Sequence, residues 1–466
     1  MSKHNCLSST ALTALTILIS LINPTTSYAI DTLAAKTTEG MLPSSSVEIQ
    51  AKSSSVDLAQ LLELAVQHDA EWQSNQLNAK GQQENYAQAK GQLLPQLQFT
   101  AQTAFNKDDG TNLSTLRQYN SHSQSLRLSQ PLLRLDSWFA MKHAQAQYAQ
   151  TDAELASAYQ TLIIKVATNY FDWLKAEAQL NFAEAQEQAY KKQREQVQLN
   201  FKAGIVGLTD VYEVQAAADL AHTRSITAHN QLITAQKNIQ SSTEIAIKAI
   251  APPTRTQLSQ VIDQQSEAHW LQVAYAHNPN YQAAQKALEA AQQTKKEQAS
   301  SFGPQVDLVG SYTDSSNTVL SAQQTQRQTS QLSLQLSLPL WTSGQTTSRY
   351  RQANYQTHAA EAHLTAVKRD VQIKVSNLLE QMKADQQILE AQQQAKQSTK
   401  TALMATQAGY RAGIRTIVEV LQAESAHLES IKDYQTALYD SLLHALQFEQ
   451  ALGTLSAQTA MQFSGT

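Results

Sequence analysis

The sequence predicts a mixed α+β membrane protein: long helices forming an α-helical coiled-coil barrel, joined to a transmembrane β-barrel to which each chain gives four strands. Three observations predict it. The stretch from about Ser137 to Lys202 contains no Pro or Gly, and such a helix is about 100 Å long at 1.5 Å per residue, which no compact domain needs. Short stretches of mostly alternating polarity precede the first long helix of each half. The whole plan also occurs twice: Pro304 follows Pro95 by 209 residues, Gly413 follows Gly204 by 209, and Pro339 follows Pro131 by 208. A fixed offset of this kind is the mark of an internal two-fold repeat.

Composition narrows the function classes. The 466 residues carry 35 Lys and Arg against 39 Asp and Glu, a net charge of −4 that gives no case for nucleic-acid binding. Aromatics are only 6%, which suits helices packed through small residues better than a thick globular core. Mean hydropathy is −0.40, and no transmembrane-helix run of 18 apolar residues follows the N-terminus. Residues 1–29 have the pattern of a secretory signal peptide. Lys3 and His4 precede an apolar segment from Leu7 to Ile22, and Ser27-Tyr28-Ala29 puts small residues at the cleavage positions. The only cysteine, Cys6, lies inside that leader. The mature chain therefore has no disulfide, Cys-metal site or thiol nucleophile.

Residues 30–56 are rich in Ser and Thr without periodicity and are expected to be a flexible arm. The first repeat is expected over 57–250. Leu58, Leu61, Leu62 and Ala65 share one face of a helix over 57–91, which Pro95 closes. Gln96 to Phe105 and Ser125 to Ser129 alternate as the strands of a β-hairpin, with a polar loop from Asn106 to Ser121. Helices follow from Ser137 to Lys202 and from Thr209 to Ala249. A linker at 251–265 contains Pro252-Pro253. The second repeat, 266–455, has a helix over 266–300, a strand opening at Gln305-Val306-Asp307-Leu308, and a clean alternation from Gln331 to Leu338. It continues with helices from Thr346 to Ala408 and from 416 to Leu452. Residues 456–466 are expected to be a short tail.

The turns between the long helices are near-copies: Phe201-Lys202-Ala203-Gly204 and Tyr410-Arg411-Ala412-Gly413. Gly204 and Gly413 suit the left-handed conformation that ends a helix. Thr416 with Glu419 fits a capping box for the next helix, and Gly207 with Asp210 holds the matching positions.

On the strands, Leu97, Phe99, Leu126, Leu128, Val306, Leu308, Tyr312, Leu332, Leu334, Leu336 and Leu338 alternate with Gln, Ser, Thr, Asp and Arg. This dyad pattern fits lipid outside and water inside, and a half-buried sheet in a soluble protein alternates in the same way. Four strands cannot close a barrel, and lipid does not tolerate an open edge. Strands that span a membrane therefore require a dimer of eight strands or a trimer of twelve.

The order, the repeat and above all Gly413-Ile414-Arg415-Thr416-Ile417-Val418-Glu419-Val420-Leu421 resemble the TolC-type outer-membrane efflux proteins from about residue 57 to 455. The resemblance implies a homotrimer with a twelve-stranded barrel in the outer membrane and a helical tunnel across the periplasm. It also implies a periplasmic adaptor and an inner-membrane transporter of ABC, RND or MFS type as partners. Carried over by motif, Tyr410 and Arg415 match the aromatic and arginine that hold the periplasmic end shut, with Thr209 and Asp210 as their partners. The alternatives are that Arg415 only caps carbonyls or pairs locally with Glu419, and that Tyr410 is plain packing. Glu419 matches an acid of the constriction ring. Gln422 stands where the family has a second acid, so the ring carries less charge. Gly204, Gly207, Leu208, Gly413 and Thr416 match the tips where adaptors dock.

No Gly-rich phosphate loop, nucleophile elbow or metal-spaced cluster points to an enzyme or cofactor. His358 and His363 are five apart, not the four that aligns two ligands on a helix. The competing class is a secreted or periplasmic coiled-coil scaffold that tethers other proteins. It accounts for the helices and leader but not for hairpins at equal positions in both repeats.

Overall fold

The structure is a computed structural model and describes residues 55–108, 117–253, 266–319 and 325–461. The expected leader, most of the arm and linker, and residues 462–466 of the tail lie outside the described residues.

Helix α1 (Leu58–His68) begins with a capping box: Asp57 accepts from the Gln60 backbone at 2.8 Å, and the Gln60 amide oxygen accepts from Asp57 N at 3.3 Å. Sequence periodicity predicts one helix over 57–91, but it breaks at Asp69 and resumes as α2 (Ala70–Gly91). Asp69 takes an extended conformation. Its carboxylate caps Trp72 N at 2.9 Å and binds Lys165 Nζ at 2.9 Å. A short acidic side chain that can bond its own backbone competes with the helix at such a point. The predicted helix over 266–300 divides in the same way into α5 (Glu267–His277) and α6 (Pro279–Ser300). There Asn278 caps Tyr281 N at 3.1 Å, and Pro279 occupies the first helical position, where its missing N–H costs nothing.

Strands β1 (Gln96–Asp108) and β2 (Arg117–Leu133) pair well into the stretch expected to be loop, with Asn106 opposite Tyr119. Ladder bonds are made by the backbone, so polar side chains do not stop pairing. The register of β2 shifts between Pro131 and Leu133, consistent with the donor that proline lacks. With β3 (Gln305–Val319) and β4 (Thr325–Ser337) they form one antiparallel sheet in the order β1-β2-β3-β4. Register separates its faces. Leu97, Leu128, Gly310 and Leu332 form one cross-strand row, and Phe99, Leu126 and Tyr312 lie in the next row of that face. Gln98, Arg127, Ser311 and Gln331 form a row of the opposite face, and Thr100, Ser125, Thr313 and Thr329 another. The apolar face is open: Leu332, Leu334 and Leu336 are each about two-thirds exposed or more. Trp138 and Trp341 are exposed at the junction with the helices.

The long helices are α3 (Leu135–Lys202), α4 (Leu208–Thr243), α7 (Gln345–Arg411) and α8 (Ile417–Leu452). Helix α3 packs on α4 and α8, and α7 packs on α8; nearer the sheet, α2 lies on α3 and α6 joins α3 to α7. Two bounds differ from expectation. α4 stops at Thr243 because Glu244 turns left-handed at φ 56°, and α7 runs past Ala408 to Arg411.

The main core sits midway along the helices, where Leu61, Trp72, Ile163, Tyr170, Phe171 and Leu446 pack together. The stretch expected to be tail contributes to it. Helix α9 (Ala457–Met461) follows Leu455, which is buried with Ala460, and the Gln160 amide donates to the Gly453 and Leu455 carbonyls at 3.1 and 3.2 Å.

Candidate functional site

The site lies at the end of the long helices remote from the sheet, about 100 Å of helix away at 1.5 Å per residue. Two turns form it, and they close with the same backbone bonds. In the first, Ala203 N donates to Leu199 O (3.1 Å), Gly204 N to Phe201 O (2.9 Å) and Ile205 N to Asn200 O (2.9 Å). In the second, Ala412 N donates to Ala408 O (3.1 Å), Gly413 N to Tyr410 O (3.0 Å) and Ile414 N to Gly409 O (2.9 Å). Gly204 and Gly413 both sit at φ 71°, a conformation that a Cβ disfavours.

The next helices start differently. At α8, Thr416 Oγ1 accepts from Glu419 N at 3.3 Å, and Glu419 Oε2 accepts from Thr416 N at 2.7 Å and from the Thr416 hydroxyl at 3.0 Å. At α4, Gly207 can offer only its N–H, which donates to Asp210 Oδ2 at 2.9 Å. Arg415 Nη1 donates to Glu419 Oε1 at 2.6 Å. The Thr416 backbone N–H, followed by Arg415 and the Thr416 hydroxyl, holds the Glu419 carboxyl far below its ordinary 4.5, at about 2. Glu419 is therefore a fixed negative charge at neutral pH.

Within one chain, Arg415 pairs with Glu419, while Asp210 accepts from Gly207 N. Thr209 is exposed beside Asp210 at the start of α4. Tyr410 is half-buried, and its hydroxyl accepts from the Gln196 amide of α3 at 3.0 Å, which ties the two repeats together. Gln422 is exposed on α8 three residues after Glu419. Leu208 is exposed at the first tip, with Ile205 and Ile414 projecting further, 71% and 80% exposed. The sequence carries no local signal for Gln196, because its partner lies 214 residues away. Among the described residues there is no group of three or more His, Cys, Asp or Glu that could hold a metal ion.

A model of the outer membrane efflux protein family matches residues 61–243 and 270–454, one match for each repeat. The outer membrane protein TolC of Vibrio cholerae is 31% identical over 407 residues, 86% of this chain and 89% of that protein. The alkaline protease secretion protein AprF of Pseudomonas aeruginosa is 25% identical, over 81% of this chain and 80% of that protein. Among solved structures, that of CusC superposes with a TM-score of 0.72 at 17% identity over 85% of this chain and 92% of the other. VceC of Vibrio cholerae superposes at 0.71 and 19% identity over 85% and 96%. These likenesses carry the fold, four sheet strands on a bundle of long helices. The family match extends over most of the chain, and the chain belongs to the outer membrane efflux protein family.

Proposed function

We propose that three copies of this chain form a passive exit duct, with a twelve-stranded barrel in the outer membrane and a helical tunnel in the periplasm. One observation carries this reading: among the described residues, the sheet is open at both ends. β1 and β4 each pair on one side only, and a membrane-spanning sheet closes with no free edge. The helices repeat the condition. Leu220, Ile226 and Ile233 of α4 and Ile373, Ile388 and Met404 of α7 are exposed apolar residues on the helices that flank the bundle, as expected of surfaces that neighbouring protomers cover. Lipid meets the apolar row from Leu97 to Leu332, and the Gln, Ser and Thr rows face water inside.

The tip is the gate. Glu419 orients Arg415 within its own helix, and the latch closes where Arg415 meets Thr209 and Asp210 of the first-repeat turn. Tyr410 braces it through Gln196. A ring of Glu419 charges, with neutral Gln422 in each protomer, makes the constriction mildly cation-favouring. The tips around Gly204, Gly207, Leu208, Gly413 and Thr416 receive a periplasmic adaptor, with Ile205 and Ile414 as apolar knobs. An inner-membrane transporter supplies the energy and selects the cargo.

Planar-bilayer recording tests the latch. Arg415→Ala gives a several-fold larger single-channel conductance than the parent. An unchanged conductance removes Arg415 from the gate and leaves the duct standing.

A further inference from the structure

Gly409 lies within α7, where glycine is a poor helix residue. Its φ is not positive, unlike that of Gly413, so the backbone does not call for glycine there. Arg415 does. A Cβ on residue 409 would lie 2.8 Å from Arg415 Cγ and 3.6 Å from its Cβ. The Gly409 carbonyl also accepts from Arg415 N at 3.3 Å, besides Ile414 N. The chain therefore folds back so that the arginine stem rests on the bare α-carbon of Gly409, and the guanidinium ends on Glu419.

The twin turn supplies the comparison. Asn200 occupies the place of Gly409 and Val206 that of Arg415, while the backbone bond to the residue-200 carbonyl is the same. Glycine stands only in the copy that carries the long cationic side chain.

We propose that Gly409 is a positioning residue for the gate, keeping open the channel along which the Arg415 stem must run to reach Glu419. This rests on the reading of Arg415 as part of the latch. A methyl group at 409 meets the middle of that stem, so the stem shifts and the guanidinium is displaced from Glu419.

The full-length protein is purified from outer membranes, and single-channel conductance and thermal midpoint are measured. The variants are Gly409→Ala, Gly409→Asn, Arg415→Ala, Gly409→Ala with Arg415→Ala, and Asn200→Ala. The expected result is that both Gly409 variants raise conductance several-fold towards Arg415→Ala, and that the double variant conducts no more than Arg415→Ala alone. Asn200→Ala stays at the parent level. A glycine without this role would behave oppositely, since alanine improves the helix: the midpoint would rise and the conductance would stay fixed. Parent-like conductance in both Gly409 variants beside an open Arg415→Ala overturns the positioning role and spares the latch. So does an additive double variant, or an Asn200→Ala that opens equally. If Arg415→Ala itself is unchanged, the latch fails and the role of Gly409 falls with it.

Discussion

Glu419 serves three partners with one carboxylate: the Thr416 backbone, the Thr416 hydroxyl and Arg415. Its ionisation is therefore linked to the order of the tip. Because the carboxyl sits at about 2 rather than its ordinary 4.5, these bonds are fully present above pH 4.5 and are lost as pH falls towards 2. Closed-state conductance should stay flat from pH 7 to 4.5 and rise below that, and Glu419→Gln should remove this component of the pH profile. Gln422 gives a second prediction. Gln422→Asp adds one charge per protomer beside Glu419, so cation selectivity and block by multivalent cations should both increase, which reversal potentials and titration with a trivalent cation would measure. At this scale the capping residues were legible, because a cap is a local pattern: Thr416 and Glu419 stand where the sequence places them. The partner of Tyr410 was not legible, since Gln196 meets it through tertiary packing alone.

Helix ends show how one plan tolerates two solutions. α4 and α8 both stop in a left-handed residue, Glu244 at φ 56° and Gly453 at φ 81°, at equivalent places in the repeats. At Gly453 a Cβ would lie 2.3 Å from the His277 carbonyl oxygen. At Glu244 the side chain instead turns to an exposed, long pair with His68, 3.6 Å apart, worth little in water. Opposite outcomes follow from the two positions. Glu244→Gly should stabilise by about 1 kcal/mol through relief of the left-handed strain. Gly453→Ala should destabilise by about 2 kcal/mol or more, because backbone must move. Thermal denaturation of the two variants would measure both. The long helices and the strand rows were legible from periodicity and punctuation. The breaks at Asp69 and Asn278 interrupt a periodicity that runs past them: Asn278-Pro279 is a local start signal that the periodicity masks, and each cap also reaches a remote partner (Lys165 Nζ in one repeat, the Ala451 carbonyl in the other). Ala460, in the stretch expected to be tail, is buried in a core assembled from both repeats, a placement no local pattern announces.

At the scale of the whole molecule, the proposed duct makes one chain a third of the working assembly. Among the described residues its sheet ends in β1 and β4, and its flanking helices expose Leu220 and Ile388, surfaces that the proposed trimer covers. Leu220→Glu should leave helix content unchanged while reducing assembly, and size-exclusion chromatography in detergent would read this directly. The most direct measurement is native mass of the complex extracted from outer membranes. A three-chain mass is the predicted result. A two-chain complex, a single chain in detergent, or a chain released in soluble form would contradict the trimeric duct.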